Sequence, residues 1–190
     1  MKTLSGIHPP KQTLNIPKGI LSGEGVISSV TTAGKLKNYF QAEDIRKALP
    51  QDQEVYRVQA HLPVPEGTEG GLFFGTTWIK PGQVGDEYFM TRGHFHAKSD
   101  RSEYYWGLSG EGMLILMDRN RHCWCEVMQP GSLHYIPPHT AHRVANTGQE
   151  ELAFGACWPA DAGHDYEEII QKGFSCALIN HHGKPKLIAV

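Results

Sequence analysis

Apolar and polar residues alternate along most of the chain after residue 50, a period typical of β-strands with one face in a core. Residues 54–62, EVYRVQAHL, alternate in this way, and residues 70–80, GGLFFGTTWIK, are apolar, aromatic and β-branched. Six similar segments follow: EYYWGL, GMLILMD, HCWCEVM, SLHYIP, HRVANT and LAFGACW. Turn residues separate these segments at intervals of about 8–12 residues, which favours a β-sandwich or barrel.

Two segments interrupt the alternation with helical spacing. Residues 42–49, AEDIRKAL, repeat apolar side chains near every third or fourth position, and Pro50 ends the segment. Residues 165–173, DYEEIIQKG, begin at Asp165, a residue type that caps helices, and end at Gly173, a helix stop. After them, FSCALI and KLIAV predict the last one or two strands.

The first 40 residues are rich in Pro, Gly, Ser and Thr, with few apolar residues between them. They predict an extended arm or loop packed on a core. We therefore predict one structural domain of the all-β class with a few short helices. In it, residues 1–50 form an N-terminal arm and short helix, and residues 51–190 form a barrel with a C-terminal helix and one or two final strands.

Charge and hydropathy exclude several classes of partner. The 18 basic and 20 acidic residues are dispersed and give a net charge of −2, so we expect no nucleic-acid partner. No segment approaches the length of a membrane span, and the first residues lack the apolar region of a secretory signal. We expect a cytoplasmic protein with no membrane partner.

The chain has four cysteines, Cys123, Cys125, Cys157 and Cys176. The first two are separated by one residue and cannot easily bridge each other. Because a chain of this length needs no disulfide staple and shows no secretory start, we expect reduced and mostly structural cysteines.

The candidate chemistry begins at GHFHAKSDRSE, residues 93–103. His94 and His96 can share one face of a strand, since alternate residues point the same way. Glu103 follows AKSDRS, which predicts a hairpin loop that returns it on the neighbouring strand, and His142 begins another strand. An H-x-H pair alone is a weak signal, but three imidazoles and a carboxylate suit a divalent first-row metal with positions open for substrate.

The stretch from His94 to Gly110 resembles the first cupin motif, an H-x-H, a glutamate and a glycine. The gap between His96 and Glu103 is longer than the common cupin gap. The second cupin motif is matched in spacing at Gly131, Pro137, His142 and Asn146. His139 stands where that motif usually has a glycine, so we expect a different turn there.

The longer gap, with the run PGQVGDEYFMTRGHFHAKSDRSEYY and the later PADAGHDY, is similar to the cupin-type glucose-6-phosphate isomerases, best known from archaea. The similarity covers roughly residues 50–175. It implies a homodimeric cupin (double-stranded β-helix) barrel that interconverts glucose 6-phosphate and fructose 6-phosphate in glycolysis and gluconeogenesis. It also implies one bound divalent ion, with Fe(II) expected first and Mn(II), Ni(II), Co(II) or Zn(II) also suited to nitrogen and oxygen ligands.

The resemblance implies that His94, His96, Glu103 and His142 bind the metal. Glu103 is also our candidate for the base that moves a proton between C1 and C2 through an enediol. The two roles compete, because a coordinated carboxylate is a weaker base. The alternative is that Glu103 only binds the metal and that a hydride shift moves the hydrogen.

The resemblance assigns the substrate phosphate to hydroxyls and a backbone N–H. The corresponding residues here are Tyr56, Thr77, Thr91 and Gly93. Exposed cations are usually solvated, so we assign no binding role to Arg92, Lys98 or Arg101.

Further residues of the resemblance lie near the sugar. His164 and Tyr166 match positions suited to ring opening or proton relay, since histidine titrates near neutrality. Tyr105 should share the inward face of Glu103. Trp158 replaces a tyrosine common in archaeal members, and its indole can donate through N–H but cannot act as a phenolic acid.

Two other functions use the same residues. A cupin dioxygenase or oxidase also binds its metal through three histidines and a glutamate. A non-catalytic cupin that binds metal and sugar is the other alternative, and Trp158 leaves room for it. The phosphate residues and PADAGHDY favour the isomerase.

Overall fold

A computed structural model describes residues 6–190, so the first five residues of the predicted arm lie outside the described residues. The two α-helices are short, α1 at Glu43–Ala48 and α2 at Glu167–Lys172, with two 3-10 helices at Ile16–Lys18 and Ala33–Leu36. The strands are β1 Gln12–Asn15, β2 Ile20–Gly23, β3 Val26–Thr32, β4 Glu54–His61, β5 Leu72–Ile79, β6 Gln83–Val84, β7 Glu87–Tyr88, β8 Glu103–Ser109, β9 Gly112–Met117, β10 Cys123–Met128, β11 Leu133–Ile136, β12 Ala141–Asn146, β13 Leu152–Pro159, β14 Cys176–His181 and β15 Lys184–Ala189.

The strands form antiparallel sheets around one apolar core. The largest sheet has the order β11-β8-β13-β5-β4-β3, and smaller sheets have the orders β10-β9-β12 and β15-β14-β7-β6. The central strand β9 is apolar throughout and buries Leu114, Ile115, Leu116 and Met117 completely. Residues of the six-stranded and three-stranded sheets supply about half of the core, and both faces of β9 are buried in it. The prediction of an all-β fold with a few short helices is confirmed.

Both predicted helices are present. α1 lies inside residues 42–49, and α2 lies inside residues 165–173. The carboxylate of Asp165 accepts hydrogen bonds from the backbone N–H groups of Glu167 and Glu168, at 3.1 and 3.4 Å, so this residue caps α2 as expected. In residues 6–190 no helix is long and apolar enough to cross a membrane.

The N-terminal segment contains more structure than its composition indicates. β1 and β2 form a hairpin, and β3 pairs with β4 at the edge of the six-stranded sheet, with Val30 opposite Arg57. An edge strand such as β3 is mostly exposed and lacks a strong hydrophobic pattern, which is why the sequence did not predict it. The division into residues 1–50 and 51–190 stays a prediction.

The expectation that all four cysteines are reduced is wrong for one pair. A disulfide joins Cys123 in β10 to Cys176 in β14, and the two Cα atoms are 6.3 Å apart. Cys125 and Cys157 are free thiols. The pair is 53 residues apart in sequence, so only the packing of β14 beside β10 brings the two sulfur atoms together.

Candidate metal centre

Two histidines of the centre are held by backbone pairing. The N–H of His94 donates to the carbonyl of His142 at 3.3 Å, and the N–H of His142 donates to the carbonyl of His94 at 3.1 Å. His142 lies in β12, whereas His94 and Phe95 form isolated bridges, with His142 and Asp165 respectively. His94 and His96 were expected on one regular strand. They lie instead on a short segment that forms only isolated bridges.

Glu103 reaches the centre from the other sheet. It begins β8, which pairs with β11 and β13, so residues 97–102 are a crossover between sheets and the predicted hairpin is wrong. The reason is that β12, and no strand after the loop, pairs with the His94 segment. The four candidate ligands thus come from both sheets and face each other across the barrel.

The structure brings these four side chains together. One ligand atom from each of His94, His96, Glu103 and His142 lies within 4.8 Å of all the others. The ring centre of His142 lies 4.5 Å from that of His94 and 5.3 Å from that of His96. These three histidines and one glutamate, called the ligand cluster below, could hold a metal ion.

The hydrogen bonds around the ligand cluster leave the metal-facing nitrogens free. Nδ1 of His96 donates to the carbonyl of Arg101 at 2.9 Å, and Nδ1 of His142 donates to the carbonyl of Thr140 at 3.3 Å. Each Nε2 can therefore present a lone pair. Within the described part of the chain, Nε2 of His142 and Oε1 of Glu103 are buried without a hydrogen-bond partner, although they lie close to each other. Two facing lone pairs fit a shared cation.

The electrostatics favour an ionised carboxylate beside a neutral imidazole. Burial raises the pKa of Glu103, but the interactions with the neighbouring His142 and His96 outweigh burial and leave that pKa well below its ordinary value. Burial, reinforced by His142 and His164, holds the pKa of His94 well below its ordinary value. Burial lowers the pKa of His96 too, but contact with Glu103 outweighs burial and raises it, so a cation competes with a proton at this ring.

The ligand cluster lies on the wall of a cavity of about 330 Å³. All the residues predicted to act on or bind the substrate line this cavity: Tyr56, Thr77, Thr91, Gly93, Glu103, Tyr105, Trp158, His164 and Tyr166. His94 and His142 line it too, while His96 lies behind them.

The other two histidines near the motif are not part of the ligand cluster. The ring nitrogens of His134 lie 2.6 Å from Oε2 of Glu126 and 2.9 Å from the hydroxyl of Ser132. His139 has a left-handed backbone, φ +62°, where the motif usually has glycine. His139 thus adopts the backbone conformation that glycine has in the motif, and the turn differs in its side chain.

Aromatic rings cover the ligand cluster on the cavity side. His164 stacks on Tyr166 at 5.5 Å between ring centres, and its ring centre lies 4.4 Å from that of His94. His164 is exposed to the cavity, yet desolvation lowers its pKa, which keeps the imidazole neutral near pH 7. Burial and the neighbouring Tyr56 raise the pKa of Tyr166 to about 12, and burial raises that of Tyr105 well above 10. Both phenols therefore stay protonated at neutral pH and can donate hydrogen bonds.

The segment before the first histidine needs its glycine. Gly93 has φ +74°, and a Cβ there would lie 2.9 Å from the Cβ of Arg143 and 3.1 Å from the carbonyl of His142. Next to it, the hydroxyl of Thr91 accepts from the N–H of Val144 at 3.1 Å, so its own hydrogen can point into the cavity. The close approach fixes the position of this segment against β12.

Arg92 lines the cavity, although no binding role was assigned to it from the sequence. Among residues 6–190, Arg92 is the one lysine or arginine that lines the cavity. Its Nη2 donates to the carbonyl of Lys35 at 3.3 Å, whereas its Nε is buried without a hydrogen-bond partner. The guanidinium lies 5.9 Å from the ring centres of Tyr39 and Tyr166. Arg92 therefore keeps one donor for a bound anion.

The other two cations near the motif turn away from the cavity. Lys98 and Arg101 both donate to the carboxylate of Asp161, at 2.8 and 2.7 Å. The sequence alone does not show which of Arg92, Lys98 and Arg101 faces the cavity. The directions of the side chains in the structure show that Arg92 does.

A protein-family model described as Glucose-6-phosphate isomerase (GPI) matches residues 31–187. The chain belongs to the glucose-6-phosphate isomerase family. The glucose-6-phosphate isomerase of Pyrococcus horikoshii is 39% identical over 180 residues, which are 94% of this chain and 95% of the relative. That of Thermococcus kodakarensis is 42% identical and covers 92% of this chain and 91% of its own.

These matches confirm the predicted identity as a glucose-6-phosphate isomerase. A further family member matches over part of its length. The glucose-6-phosphate isomerase of Sinorhizobium medicae is 43% identical over 122 residues, 64% of this chain and 56% of the relative. Among solved structures, an oxalate decarboxylase of Bacillus subtilis is similar with a TM-score of 0.47 and 21% identity. That likeness covers 60% of this chain and 28% of the decarboxylase.

Proposed function

We propose that the cavity binds glucose 6-phosphate and fructose 6-phosphate and interconverts them at the ligand cluster. The observation that supports this most directly is the ligand cluster, three of whose four members line the same cavity as Thr77, Thr91 and Gly93. A metal-binding wall and hydroxyl groups for a phosphate are the two features that a phosphosugar isomerase needs. The family membership favours this activity over an oxidase or a non-catalytic module.

The metal ligands in this proposal are His94, His96, Glu103 and His142. Their nitrogen and oxygen donors accept Fe(II), Mn(II), Ni(II), Co(II) or Zn(II), and we put Fe(II) first on the family resemblance. When bound, such an ion polarises the sugar carbonyl and fixes the oxygens on C1 and C2. Three histidines and a glutamate leave positions open for those oxygens.

The phosphate subsite combines neutral donors with one cation. Tyr56, Thr77 and Thr91 offer hydroxyl groups to the cavity, and Gly93 offers a backbone N–H. Arg92 adds the guanidinium that a dianionic phosphate favours, and its unpartnered Nε supports this role.

Trp158 bounds the same cavity with an indole in place of a phenol. An indole has one N–H donor and no acidic hydroxyl, so in this proposal it contributes shape and a single hydrogen bond. It takes no part in proton transfer.

Proton movement in the proposal uses the residues next to the ligand cluster. Glu103 is the base that carries the proton between C2 and C1 through an enediol, and its low pKa keeps it in the ionised form, which this role requires. His164, a neutral imidazole, serves ring opening, and Tyr105 and Tyr166 donate hydrogen bonds to sugar oxygens. In the alternative mechanism, Glu103 is only a ligand and a hydride moves directly from C2 to C1.

We further propose that the protein is a homodimer and acts in the cytoplasm. Both proposals rest on the family membership, and the oligomer is directly measurable by light scattering on a sizing column. A mass near twice the 21.1 kDa chain is expected.

The test of the activity uses purified protein loaded with Fe(II) or Mn(II). Glucose 6-phosphate should be converted to fructose 6-phosphate, and no product with either ion would refute the proposal. Substrate deuterated at C2 should lose part of its label to water if an enediol forms, whereas full retention at C1 would support the hydride shift. Oxygen uptake during turnover would instead favour an oxidase.

A further inference from the structure

The loop between the ligands His96 and Glu103 is held in position by contacts with other segments of the chain. Residues 97–102 cross from one sheet to the other, and Ala97, Lys98 and Asp100 are exposed. A loop with few buried contacts opens locally at low free-energy cost. Because it begins at one ligand and ends at another, its motion would change the distance between them.

A buried carboxylate holds this loop in place. The side chain of Asp161 is 3% exposed, although its partners Lys98 and Arg101 are 51% and 24% exposed. It accepts from Nζ of Lys98 at 2.8 Å, and its two oxygens accept from Nε and Nη2 of Arg101 at 3.0 and 2.7 Å. A bidentate arginine–carboxylate contact fixes orientation as well as distance.

The same arginine is the hydrogen-bond partner of a metal ligand. The carbonyl of Arg101 accepts from Nδ1 of His96 at 2.9 Å, and a carbonyl can only accept, so Nε2 must be the nitrogen that faces the metal. Second partners of this kind hold the ring orientation and tautomer of a ligating histidine. A continuous path of contacts therefore runs from Asp161 through Arg101 to His96.

The backbone supports the contact between the two segments. The N–H of Lys98 donates to the carbonyl of Ala162 at 2.9 Å, and that of Ala97 donates to the carbonyl of Gly163 at 3.5 Å. Gly163 has φ +61°, and a Cβ there would lie 2.9 Å from the Cβ of Ala97. The loop is thus packed closely against the segment that leads to His164 in the cavity.

We propose that Asp161 is a positioning residue for the metal centre: by holding Arg101 it fixes the imidazole of His96, and it joins the ligand loop to the segment that carries His164. The inference rests on the proposed metal-binding function of the ligand cluster. An ion pair that served only stability would affect unfolding and leave the metal affinity unchanged. Metal affinity measured on folded protein separates these two roles.

The test compares Asp161→Asn with Asp100→Asn. Both aspartates contact Arg101, but Asp100 is in the loop itself, bonds one nitrogen and is 67% exposed. Co(II) is the probe, because its visible spectrum reports both affinity and ligand geometry. We expect Asp161→Asn to weaken Co(II) binding by about 10–100-fold and to change the spectrum, as losses of partners behind ligands do. The Co(II) affinity of Asp100→Asn should stay within about twofold of the wild-type affinity.

Arg101→Met removes the same contact from the other side and keeps the test valid if Asp161→Asn does not fold. It should give a similar loss, and the double variant should lose no more than either single variant. Co(II) affinity within about twofold of the wild type in both folded variants would overturn the proposal. If the wild type bound no Co(II), the proposed metal site itself would be refuted. If the wild type bound Co(II) and isomerised its substrate, and Asp161→Asn bound Co(II) equally well, only the positioning role of Asp161 would be refuted.

Discussion

In the proposed mechanism, Glu103 has two roles, as a metal ligand and as a base. As a ligand it must stay ionised, and the neighbouring histidines lower its pKa enough to ensure that. As a base it must accept a proton from carbon, and the same stabilisation of the anion weakens it. The balance between these roles determines whether the hydrogen moves as a proton or as a hydride.

We expect Glu103→Gln to lower kcat by about 100- to 10,000-fold, the range that general bases supply. The change keeps the shape and one oxygen ligand, so the metal affinity should fall much less than kcat. Both quantities are measurable on one preparation, by turnover and by metal titration. Equal losses in rate and affinity would assign Glu103 to ligation alone. Glu126→Gln, which contacts His134 outside the cavity, is the matched control.

Arg92→Met should raise KM for glucose 6-phosphate by about 10–100-fold, the loss that a hydrogen bond to a charged group predicts. kcat should change much less, because the phosphate does not react. Steady-state kinetics measure KM and kcat, and inhibition by inorganic phosphate measures binding at the phosphate subsite separately. Lys47→Met, which removes the same charge from the exposed side of α1, should leave KM unchanged. An unchanged KM in Arg92→Met would remove this residue from the phosphate subsite.

The histidine ligands were predictable because the H-x-H spacing and a third histidine near the start of a strand are local patterns. Arg92 and Asp161 were not, because their roles depend on partners far away in sequence. Arg92 differs from Lys98 only in the direction its side chain takes, into the cavity in one case and toward Asp161 in the other. No local pattern encodes that difference.

The disulfide between β10 and β14 connects two sheets that share no strand pairing. β14 lies in the four-stranded sheet, and α2, which precedes it in the chain, follows the segment with His164 and Tyr166. A crosslink over 53 residues restricts the unfolded chain strongly and thereby stabilises the folded one.

Cys123→Ser should therefore lower the free energy of unfolding by about 2–4 kcal/mol. Urea unfolding under oxidising conditions measures the change, and the wild type with reductant should show the same loss. Cys157→Ser, which removes a free thiol, should have little effect. If reductant shifted the midpoint of Cys123→Ser as far as that of the wild type, the crosslink would not be the cause.

The longer strands after residue 50 were predicted because their inner positions are apolar and their ends carry Gly and Pro, whereas the two-residue strands β6 and β7 were missed. β3 was missed because it is an exposed edge strand in which Ser28, Ser29 and Thr31 interrupt the hydrophobic pattern. The crossover of residues 97–102 was predicted as a hairpin for a related reason. Local turn residues give no information about which sheet a chain enters next.

Metal binding should stabilise the whole molecule, since the four ligands join both sheets and a preformed centre exists only in the folded state. An ion at about 100 times its dissociation constant adds about 2.7 kcal/mol. Chelation should then lower the melting temperature by roughly 5–10 °C for a chain of this size. Calorimetry measures the shift, and the circular dichroism of the sheets should persist. His142→Ala should not respond to the chelator, whereas a full response would contradict the ligand assignment.

The wall of the cavity includes Ser29 and Thr31 of β3 as well as Tyr166, so its residues span most of the chain. Thr77 lies opposite Phe154 in the pairing of β5 with β13, and strands so distant in sequence pair slowly. A nascent chain whose β13 is still inside the ribosome has most of its strands but no closed cavity. The cavity can therefore close only after β13 has paired with β5, and until then the apolar faces of the earlier strands stay exposed.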